Sequence, residues 1–554
     1  MQYETLRRSL LTAMLLGGLA CANSSKTAEG SGGSSAEGGA TGSGGDSASG
    51  GNPGSGGSVA SGGSIGQGGG GGSGGEVGTG GVVGTGGAVS SGGHSGSGGT
   101  ATGGASGSAG HLGTGGANAG GSGGSGSGGS SATGGAGPGT GGAGGMYLGT
   151  KTPGTAQTGD ITVDPSKTYQ VVDGFGEADV WQNSSSAAMQ TLLWDPVNGI
   201  GLNLLRVGID GTSGKVNIMG AAGYADGTAC VKYAGSACKV WAAPWSPPAS
   251  MKDNNNVNNG GHLQTADYAS WAAVLAAFPS FYKKNGGVDL YAVSAQNEPD
   301  FTATYQSCLY SASQMIAWIK VLGPALAALS PPVKVLAAEP DNWGNIWGGD
   351  GYGPAILADS TADSYVGPLA THDYGSTSAG TYKRPAPPAN NTHHVWETEC
   401  TPNDTGPITI ATMIYAAFTT GGVNGWHYWW TEALVPNPSS PPPQVYALGN
   451  FSKFVRPGYY RADVAGAPTP SASAPLVVAF TNPPDGTLAI VVVNGGAAQN
   501  VSFFVAGTAW PASVTPYVTT TSSKLAAGTA VSVSGGRFSA SLAGQSVTTF
   551  VGKP

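Results

Sequence analysis

The chain has 554 residues, a formal net charge of −8 at pH 7 and 101 glycines, most of them in its first quarter. Lys and Arg are scattered and form no block, so the counterion release that drives nucleic-acid binding has little to act on. We therefore expect no nucleic-acid partner. After the N-terminal segment, no run is long and apolar enough to cross a bilayer.

The N-terminus has the features of an export signal. Arg7 and Arg8 precede an apolar run, and small residues then lead to Cys21. This order predicts a signal peptide over residues 1–21, and small residues before a single Cys resemble a bacterial lipobox. We expect Cys21 to be lipidated and to hold the protein at the cell surface or outer membrane, its only membrane contact. The alternative is ordinary cleavage and secretion.

Residues 22–147 consist of Gly, Ser, Ala and Thr with almost no large apolar side chain. Such a segment cannot bury enough surface to offset its chain entropy, so it is predicted to be a disordered, flexible tether. Its many Gly-x-Gly-x-x-Gly and Gly-x-Ser-x-Gly strings follow from composition alone. Without a strand before them and a helix after them, they do not indicate phosphate binding or a serine hydrolase.

Beyond the tether, strands and helices are predicted to alternate over residues 160–460. Eight short β-rich runs occur at 169–175, 202–209, 239–245, 290–296, 333–338, 369–374, 394–398 and 425–430. Amphipathic stretches at 266–282, 311–329 and 409–420 have helical length. This alternation indicates an α/β fold with a parallel sheet, and eight units suit a (β/α)₈ TIM barrel. Periodicity alone leaves an open doubly wound sheet as the competing topology.

The C-terminal part, residues 461–554, has a different pattern. Alternating apolar runs at 476–480, 488–493, 501–505, 531–533 and 547–551 are separated by Gly, Pro and Asn. This pattern predicts a small β-sandwich side domain without helices. It contains no convergent acid, base or metal-ligand set, so we expect it to support the barrel structurally.

Two carboxylates close the fourth and seventh predicted strands. Glu298 and Glu399 are 101 residues apart, about three βα units at roughly 31 residues each. Carboxylates at the C-terminal ends of barrel strands face the active-site mouth. A lone Glu before a Pro is usually an ordinary loop residue, but a facing pair about 5 Å apart is the arrangement of retaining glycoside hydrolases.

Several motifs resemble glycoside hydrolase family 30, over nearly all of residues 160–554. They are Asp-Gly-Phe-Gly at 173–176, Pro-Trp-Ser-Pro-Pro-Ala-Ser-Met-Lys at 244–252, Gln-Asn-Glu-Pro-Asp at 296–300, Trp-Glu-Thr-Glu at 396–399 and Phe-Ser-Lys-Phe-Val-Arg-Pro-Gly-Tyr at 451–459. The resemblance implies a retaining β-glycosidase of clan A, with Glu298 as general acid/base and Glu399 as nucleophile. It also implies that residues near position 160 add a strand to the side domain.

Further site residues follow from chemistry and from that resemblance. Asn297 is expected to bond the sugar 2-hydroxyl, although a turn-forming Asn is the alternative. Arg206 is expected to orient Glu399 through a charge-assisted hydrogen bond. His372 and Tyr374 match family positions that line the site, and a structural histidine is nearly as good an interpretation of His372.

Two tryptophans at strand ends, Trp245 and Trp429, are predicted to contact the substrate, because flat indoles stack on sugar rings. Packing at the barrel rim is the alternative for such aromatics. We expect no cofactor and no metal, because the spacing of His372, His393 and His394 matches no metal motif and a glycosidase of this type requires none.

The four remaining cysteines form an even number in a protein predicted to be exported, where disulfides persist. Cys230 and Cys238 are expected to close a short loop. Cys308 and Cys400 each lie close to a catalytic carboxylate and are expected to pair and to brace the two catalytic loops. The alternative is four buried free thiols.

The predicted substrate is the β-1,4-xylan main chain, because the segments around Glu298 and Trp245 look most like the xylan-degrading branches of the family. One such branch recognises a glucuronate side group through Arg residues after the eighth strand, but residues 428–434 offer no Arg and include an acid. A requirement for glucuronate is therefore not expected. The alternatives are a β-1,6-glucanase, a β-1,6-galactanase and a non-catalytic surface carbohydrate-binding protein. The protein is expected to be a monomer.

Overall fold

The computed structural model describes residues 149–348, 351–374 and 382–554. The predicted signal peptide with Cys21 and nearly all of the predicted tether lie outside these described residues. Those two predictions therefore stay predictions. The described part contains two β-sheets and a set of helices.

Ten strands make up the first part of the described chain. They are β1 Ile161–Val171, β2 Gly174–Asp179, β3 Leu204–Asp210, β4 Asn217–Ile218, β5 Lys239–Pro244, β6 Ala292–Ser294, β7 Lys334–Ala338, β8 Val366–His372, β9 Val395–Glu399 and β10 Gly425–Tyr428. Strands β2, β3 and β5 to β10 pair side by side in parallel, and β10 pairs with β2. The sheet is therefore a closed eight-stranded barrel, which confirms the TIM-barrel prediction and excludes the open sheet.

The first predicted strand, 169–175, is divided in the structure. Its N-terminal half belongs to β1, which pairs with strands of the second sheet, and the barrel begins only at β2. Gly174, the first residue of β2, has φ 136°, and a Cβ there would overlap the side chain of Asn203. The apolar residues Val171, Val172 and Phe175 conceal this break in the sequence, although Tyr169 in β1 is exposed and β2 is buried throughout. The barrel sheet therefore begins at Gly174 and not at residue 160.

Helices separate most of the barrel strands. They are α1 Ala187–Trp194, α2 Ala222–Ala234, α3 Tyr268–Gly286, α4 Ala312–Ala327, α5 Trp343–Trp347, α6 Tyr352–Ala358, α7 Ser360–Tyr365, α8 Pro407–Thr419, α9 Thr431–Leu434 and α10 Pro443–Ser452. Local signals define several ends: Ser311 and Gln314 form a capping box before α4, and Gly287 ends α3 with φ 73°. The three helices predicted from periodicity correspond to α3, α4 and α8.

The barrel interior is filled by side chains that alternate in size. Trp241 and Trp396 contact each other across it, and small residues from neighbouring strands make room for the indoles. The outward-facing apolar residues of the same strands pack against the helices in a second, larger core. Because the interior is packed, only the C-terminal ends of the strands are left to form a cleft.

The second sheet includes β1 and nine later strands. These are β11 Tyr460–Ala465, β12 Leu476–Thr481, β13 Leu488–Asn494, β14 Gln499–Val505, β15 Ser513–Thr519, β16 Ala526–Ala527, β17 Val531–Ser532, β18 Arg537–Leu542 and β19 Ser546–Gly552. The sheet order places β14 and β19 far apart, yet Phe503 and Phe550 lie 5.7 Å apart, centroid to centroid. The sheet therefore folds over its own core as a sandwich, with a strand contributed from near position 160.

The sandwich packs on the barrel through α8 and α10. The Asn450 side chain in α10 donates to the Tyr517 carbonyl oxygen and to Thr549 Oγ1, both at 2.9 Å. These contacts lie away from the cleft, on the helices that cover the barrel wall. This placement fits a supporting role for the sandwich.

Two of the described cysteines form a disulfide and two are free. Cys230 and Cys238, the pair expected from their spacing, form a disulfide with Cα atoms 5.6 Å apart. The predicted Cys308–Cys400 disulfide is wrong, because both thiols are free and buried in different surroundings. The Cys400 sulfur lies 3.8 Å from Met413 Sδ, whereas Cys308 contacts Tyr310. Within the described residues, no helix combines the length and apolarity needed to span a membrane.

Candidate active site

The two predicted catalytic carboxylates lie together at the C-terminal ends of their strands. Glu298 follows β6 and has a left-handed backbone with φ 45°, while Glu399 is the last residue of β9. A carboxylate oxygen of each and a ring nitrogen of His372 all lie within 4.8 Å of one another. This separation leaves no room for a water between the carboxylates and an anomeric carbon, so the geometry suits a retaining reaction.

Arg206 and Tyr374 hold Glu399. The Arg206 guanidinium donates to Glu399 Oε2, and the Tyr374 hydroxyl donates to Oε1 at 2.7 Å. Burial raises the pKa of Glu399, and the positive charges of His372 and Arg206 oppose that rise. Both carboxylate oxygens thus have fixed partners, which aim the carboxylate from the barrel wall into the cleft.

Glu298 is held by a different set of groups. Its Oε1 lies 3.3 Å from His372 Nδ1, and its Oε2 accepts a hydrogen bond from Tyr305 at 3.3 Å. Its backbone N–H donates to the Glu339 carbonyl oxygen at 3.0 Å. These bonds fix a strained backbone in place, as expected where a side chain must have one orientation.

Asn297 is oriented by Arg206. Its Oδ1 accepts from the Arg206 guanidinium at 2.5 Å, which leaves the Nδ2 group as a donor for a substrate hydroxyl. The same guanidinium also contacts Glu339 Oε1 at 3.0 Å. Arg206 therefore contacts three predicted or newly found site residues at once, and its orientation is fully determined.

His372 lies at the centre of three carboxylates. Its Nδ1 faces Glu298, and its Nε2 lies 3.4 Å from Glu339 and 3.8 Å from Glu399. Burial lowers the pKa of His372, but the three carboxylates outweigh burial and raise it to about 10. His372 is therefore a cation at neutral pH and balances the negative charge of the site.

Glu339 was not predicted from the sequence. It is fully buried, has φ 60°, pairs with Arg206 and accepts a hydrogen bond from Ser294 Oγ. Burial opposes its charged form, but Arg206 and His372 hold the pKa of Glu339 below its ordinary value. One signal could have revealed it: Glu-Pro-Asp occurs at 339–341, after the fifth strand, as it does at 298–300 after the fourth.

The tryptophans form a cluster beside Arg206. The rings of Trp245 and Trp429 lie 4.9 and 5.4 Å from the Arg206 guanidinium, and both side chains are almost fully buried. Trp181 contacts both of them and is only partly buried. Of the three indoles, Trp181 is thus the most exposed.

Two groups of possible metal ligands occur among the described residues. Glu298, His372 and Glu399 form one group, and Asp373, Glu397 and Cys400 form the other. The first group is joined by the ion pairs and hydrogen bonds given above. In the second, Asp373 is paired with Arg384 at 2.6 Å. His393 and His394 point elsewhere, toward Asp363 and Asp173.

Comparisons with known proteins point to one family. The family model described as glycosyl hydrolase family 30 TIM-barrel domain matches residues 228–395. Glucuronoxylanase XynC of Bacillus subtilis (strain 168) is 29% identical over 432 residues, which cover 73% of this chain and 94% of that protein. Endo-1,6-beta-D-glucanase neg1 of Aspergillus fumigatus is 25% identical over 422 residues, which cover 62% and 83%.

A solved structure extends the comparison. The glycoside hydrolase family 30 subfamily 8 xylanase Xyn30A from Clostridium acetobutylicum is 31% identical, and the match covers 72% of this chain and all of that chain with a TM-score of 0.62. The match thus includes the barrel and the side domain together. In this chain, that fold brings two carboxylates, an arginine and a protonated histidine to one cleft.

Proposed function

The chain belongs to glycoside hydrolase family 30, and on that premise we propose that it hydrolyses the β-1,4-xylan main chain by double displacement. Glu298 is the general acid/base and Glu399 the nucleophile. The observation that carries this proposal is the short separation of the two carboxylates, within 4.8 Å at their nearest ligand atoms. Membership of this family identifies the chain as an O-glycoside hydrolase.

In the first step, Glu399 attacks the anomeric carbon while Glu298 gives its proton to the leaving oxygen. The C–O bond of the glycoside breaks and an ester bond to Glu399 forms, through an oxocarbenium-like transition state. Arg206 and Tyr374 hold the attacking carboxylate in position. The free Nδ2 group of Asn297 donates to the sugar 2-hydroxyl.

In the second step, Glu298 acts as a base. It takes a proton from water, whose oxygen attacks the anomeric carbon and releases Glu399 as a carboxylate. Two inversions give net retention. Because His372 contacts Glu298 and faces Glu399, its positive charge stabilises whichever carboxylate is ionised at each stage.

Xylan is the proposed substrate because it agrees with the names of the relatives that match most of this chain. We propose further that the enzyme does not require glucuronate side groups. Residues 428–434, which follow the eighth strand, contain Glu432 and no Arg or Lys. An acid there would repel a uronate carboxylate and would tolerate a neutral chain.

The face of Trp181 is proposed as a sugar platform. It packs against Trp245 and edge-on against Trp429, and the burial of these two indoles leaves them little surface for stacking. The two buried indoles then act mainly by holding Trp181 and by covering Arg206.

The test is reducing-sugar release from glucuronoxylan, unsubstituted xylan, β-1,6-glucan and β-1,6-galactan, for wild type and Glu399→Gln. We expect activity on both xylans and a loss of at least about 10³-fold in the variant. Activity on β-1,6-glucan alone would transfer the proposal to the activity named for the Aspergillus relative. Inactivity of wild type on all four glycans would favour a carbohydrate-binding protein.

We propose that the enzyme is exported and tethered through a lipid on Cys21. The sequence of residues 1–21 supports this, and the long Gly-rich segment would let the catalytic part reach an insoluble polymer. Partition of the mature protein into the detergent phase, lost in Cys21→Ser, is the expected result. A mature wild-type protein found only in the aqueous phase would contradict lipidation.

A further inference from the structure

Two neighbouring loops at the C-terminal end of the barrel are bonded to each other along their length. One, residues 252–263, lies between β5 and α3, and the other, residues 303–309, lies between β6 and α4. Backbone hydrogen bonds join them, from the N–H groups of Asn259, Ser307 and Leu309 to the carbonyl oxygens of Ala303, Val257 and Gly261, at 2.8, 3.0 and 2.7 Å. These two segments are called the paired loops, and a shift of one must move the other.

Ser307, in the second of the paired loops, bonds to the first through each of its polar groups. Its N–H donates to the Val257 carbonyl oxygen at 3.0 Å, and its Oγ accepts from the Gly260 N–H at 2.9 Å. Its carbonyl oxygen accepts from Lys252 Nζ at 2.5 Å. A buried residue held at three points has little freedom to move, so Ser307 fixes the position of its own loop.

Lys252 is buried, which is rare for a lysine. Besides its bond to Ser307, its ammonium group lies 3.4 Å from the Val257 carbonyl oxygen. No carboxylate forms an ion pair with it in the part of the chain that the structure describes, and the adjacent Asp253 pairs with His262 instead. A buried ammonium group is costly unless hydrogen bonds satisfy it, and here backbone carbonyl oxygens of both paired loops accept them. Its contacts therefore fasten the paired loops to each other.

Tyr305 connects the paired loops to the catalytic centre, because it lies two residues before Ser307. Its hydroxyl donates to Glu298 Oε2 at 3.3 Å, and its ring packs against the tryptophan-rich core of the barrel. Its carbonyl oxygen lies 3.2 Å from Ser307 Oγ. We propose that Lys252 is a positioning residue: its ammonium group holds the loop that carries Tyr305, and Tyr305 in turn orients the Glu298 carboxyl group toward the leaving oxygen.

The inference rests on the proposed function, because it needs Glu298 to be the general acid. Its test is kcat/KM, which reports the first step, on a glycan that wild type cleaves and on the dinitrophenyl glycoside of the same sugar. The dinitrophenolate leaving group needs no acid. Lys252→Met keeps the apolar stem and removes the ammonium group. We expect its kcat/KM to fall about tenfold on the glycan and less than about twofold on the aryl glycoside.

Lys453, which follows α10, provides the matched control. Its ammonium group also donates to two backbone carbonyl oxygens, those of Val197 and Gly199 at 2.7 and 2.9 Å, but away from the cleft. Lys453→Met should therefore leave the ratio of the two kcat/KM values unchanged. An equal fall on both substrates in Lys252→Met, or the same change of ratio in Lys453→Met, would overturn the proposal.

Two further variants test the route through Tyr305. Tyr305→Phe removes the hydroxyl and should change the ratio in the same direction, and the double variant with Lys252→Met should lose no more than Tyr305→Phe alone. Multiplied losses in the double variant would show that Lys252 does not act through Tyr305. If Lys252→Met does not fold, Ser307→Ala, which removes the bond from Gly260, should give a smaller change of the same sign. An unchanged ratio in that variant would then contradict the proposal.

Hydrogen exchange of the full-length protein tests the loop without turnover. The amides of Ser307 and Leu309 should exchange at least about tenfold faster in Lys252→Met than in wild type, and at the wild-type rate in Lys453→Met. Unchanged exchange in Lys252→Met would refute the proposal, whatever glycan the enzyme cleaves. If exchange rises as expected but wild type cleaves no glycoside, the proposed function fails, whereas the role of Lys252 in holding the loop of Tyr305 is supported.

Discussion

Two groups of buried carboxylates in the barrel differ in how their charge is balanced. In the cleft, Glu298, Glu339 and Glu399 surround Arg206 and His372. A second group lies between α2 and β2, the first strand of the barrel. It consists of Glu177 and Asp179 of β2 and Asp226 of α2, and these three residues are called the strand-one acids. None of these three has an ion pair within the part of the chain that the structure describes.

The difference has a direct consequence for protonation. Arg206 and His372 hold the pKa of Glu339 below its ordinary value, so the cleft keeps charged groups ready for catalysis. Burial, and repulsion among the three acids, raise the pKa of Glu177 and of Asp179, and burial raises that of Asp226. The negative charge of the cleft is balanced by cations, whereas the strand-one acids are neutralised by bound protons. The stability that the second group provides therefore depends on pH.

Removal of Arg206 should have the largest effect. Arg206→Met removes one of the two cations that Glu339 and Glu399 share in a buried site and leaves only His372, which costs about 3–5 kcal/mol of unfolding free energy. Activity should fall by at least about 10²-fold, because Glu399 and Asn297 lose their orientation. Denaturant unfolding and kcat/KM measure the two effects.

Arg537→Met is the matched control for that variant. Arg537 pairs with Asp160 in the side domain and is partly exposed, so its loss should be clearly milder and should leave kcat/KM unchanged. Equal destabilisation by the two substitutions would contradict the claim that the cleft depends on its buried cation.

Replacement of Asp179 should stabilise the protein. The pKa of Asp179 is raised above 3.8 in the folded state, so the stability that its proton provides is complete in acid and is lost as the pH rises through the folded value. In Asp179→Asn the side chain is neutral without taking up a proton. The variant should gain about 1–2 kcal/mol at neutral pH, and the two stability curves should converge below about pH 4.

Asp195→Asn gives the opposite sign. Asp195 accepts hydrogen bonds from Val197, Asn198 and the Asn198 side chain, and these bonds hold its pKa below the ordinary value despite burial. The stability that the Asp195 carboxylate provides is present at neutral pH and is lost in acid. Asp195→Asn should therefore be less stable than wild type at neutral pH.

A constant difference in unfolding free energy between Asp179→Asn and wild type at all pH values would contradict the claim that protons balance the strand-one acids.

The smallest effect should come from Thr431. Its hydroxyl donates to Glu177, and Thr431→Val keeps the shape but removes this donor. We expect a loss of about 1 kcal/mol in thermal or denaturant unfolding, with activity unchanged. If stability does not change at all, the proton alone balances Glu177 and the hydroxyl contributes nothing.

The barrel was predictable because its strands and helices repeat with a clear period, and because Glu298 and Glu399 close the fourth and seventh strands. The break at Gly174 was not predictable from periodicity, since Val171, Val172 and Phe175 form one apolar run across it. Proximity in sequence to the two predicted catalytic residues suggested a Cys308–Cys400 bond, but the direction of a side chain depends on packing, and Cys400 packs against Met413.

Within the site, the residues at strand ends were predictable, and those identified only by their contacts were not. Arg206, Asn297, His372 and Tyr374 could be placed by resemblance, and each contacts another site residue. Glu339 had only its Glu-Pro-Asp repeat to reveal it. Glu177 and Asp179 alternate along β2 and look like one polar side of a strand, so their burial becomes visible only once α2 brings Asp226 against them.

The most direct test of the central claim is covalent trapping of the nucleophile. A 2-deoxy-2-fluoro-β-xylobioside with a dinitrophenolate leaving group slows the second step, so the glycosyl-enzyme should accumulate. Mass spectrometry of the digested full-length protein should then place the label on Glu399, and Glu399→Gln should take up none. A label on Glu339 or on another residue, or a product with inverted configuration and no label, would contradict the assignment.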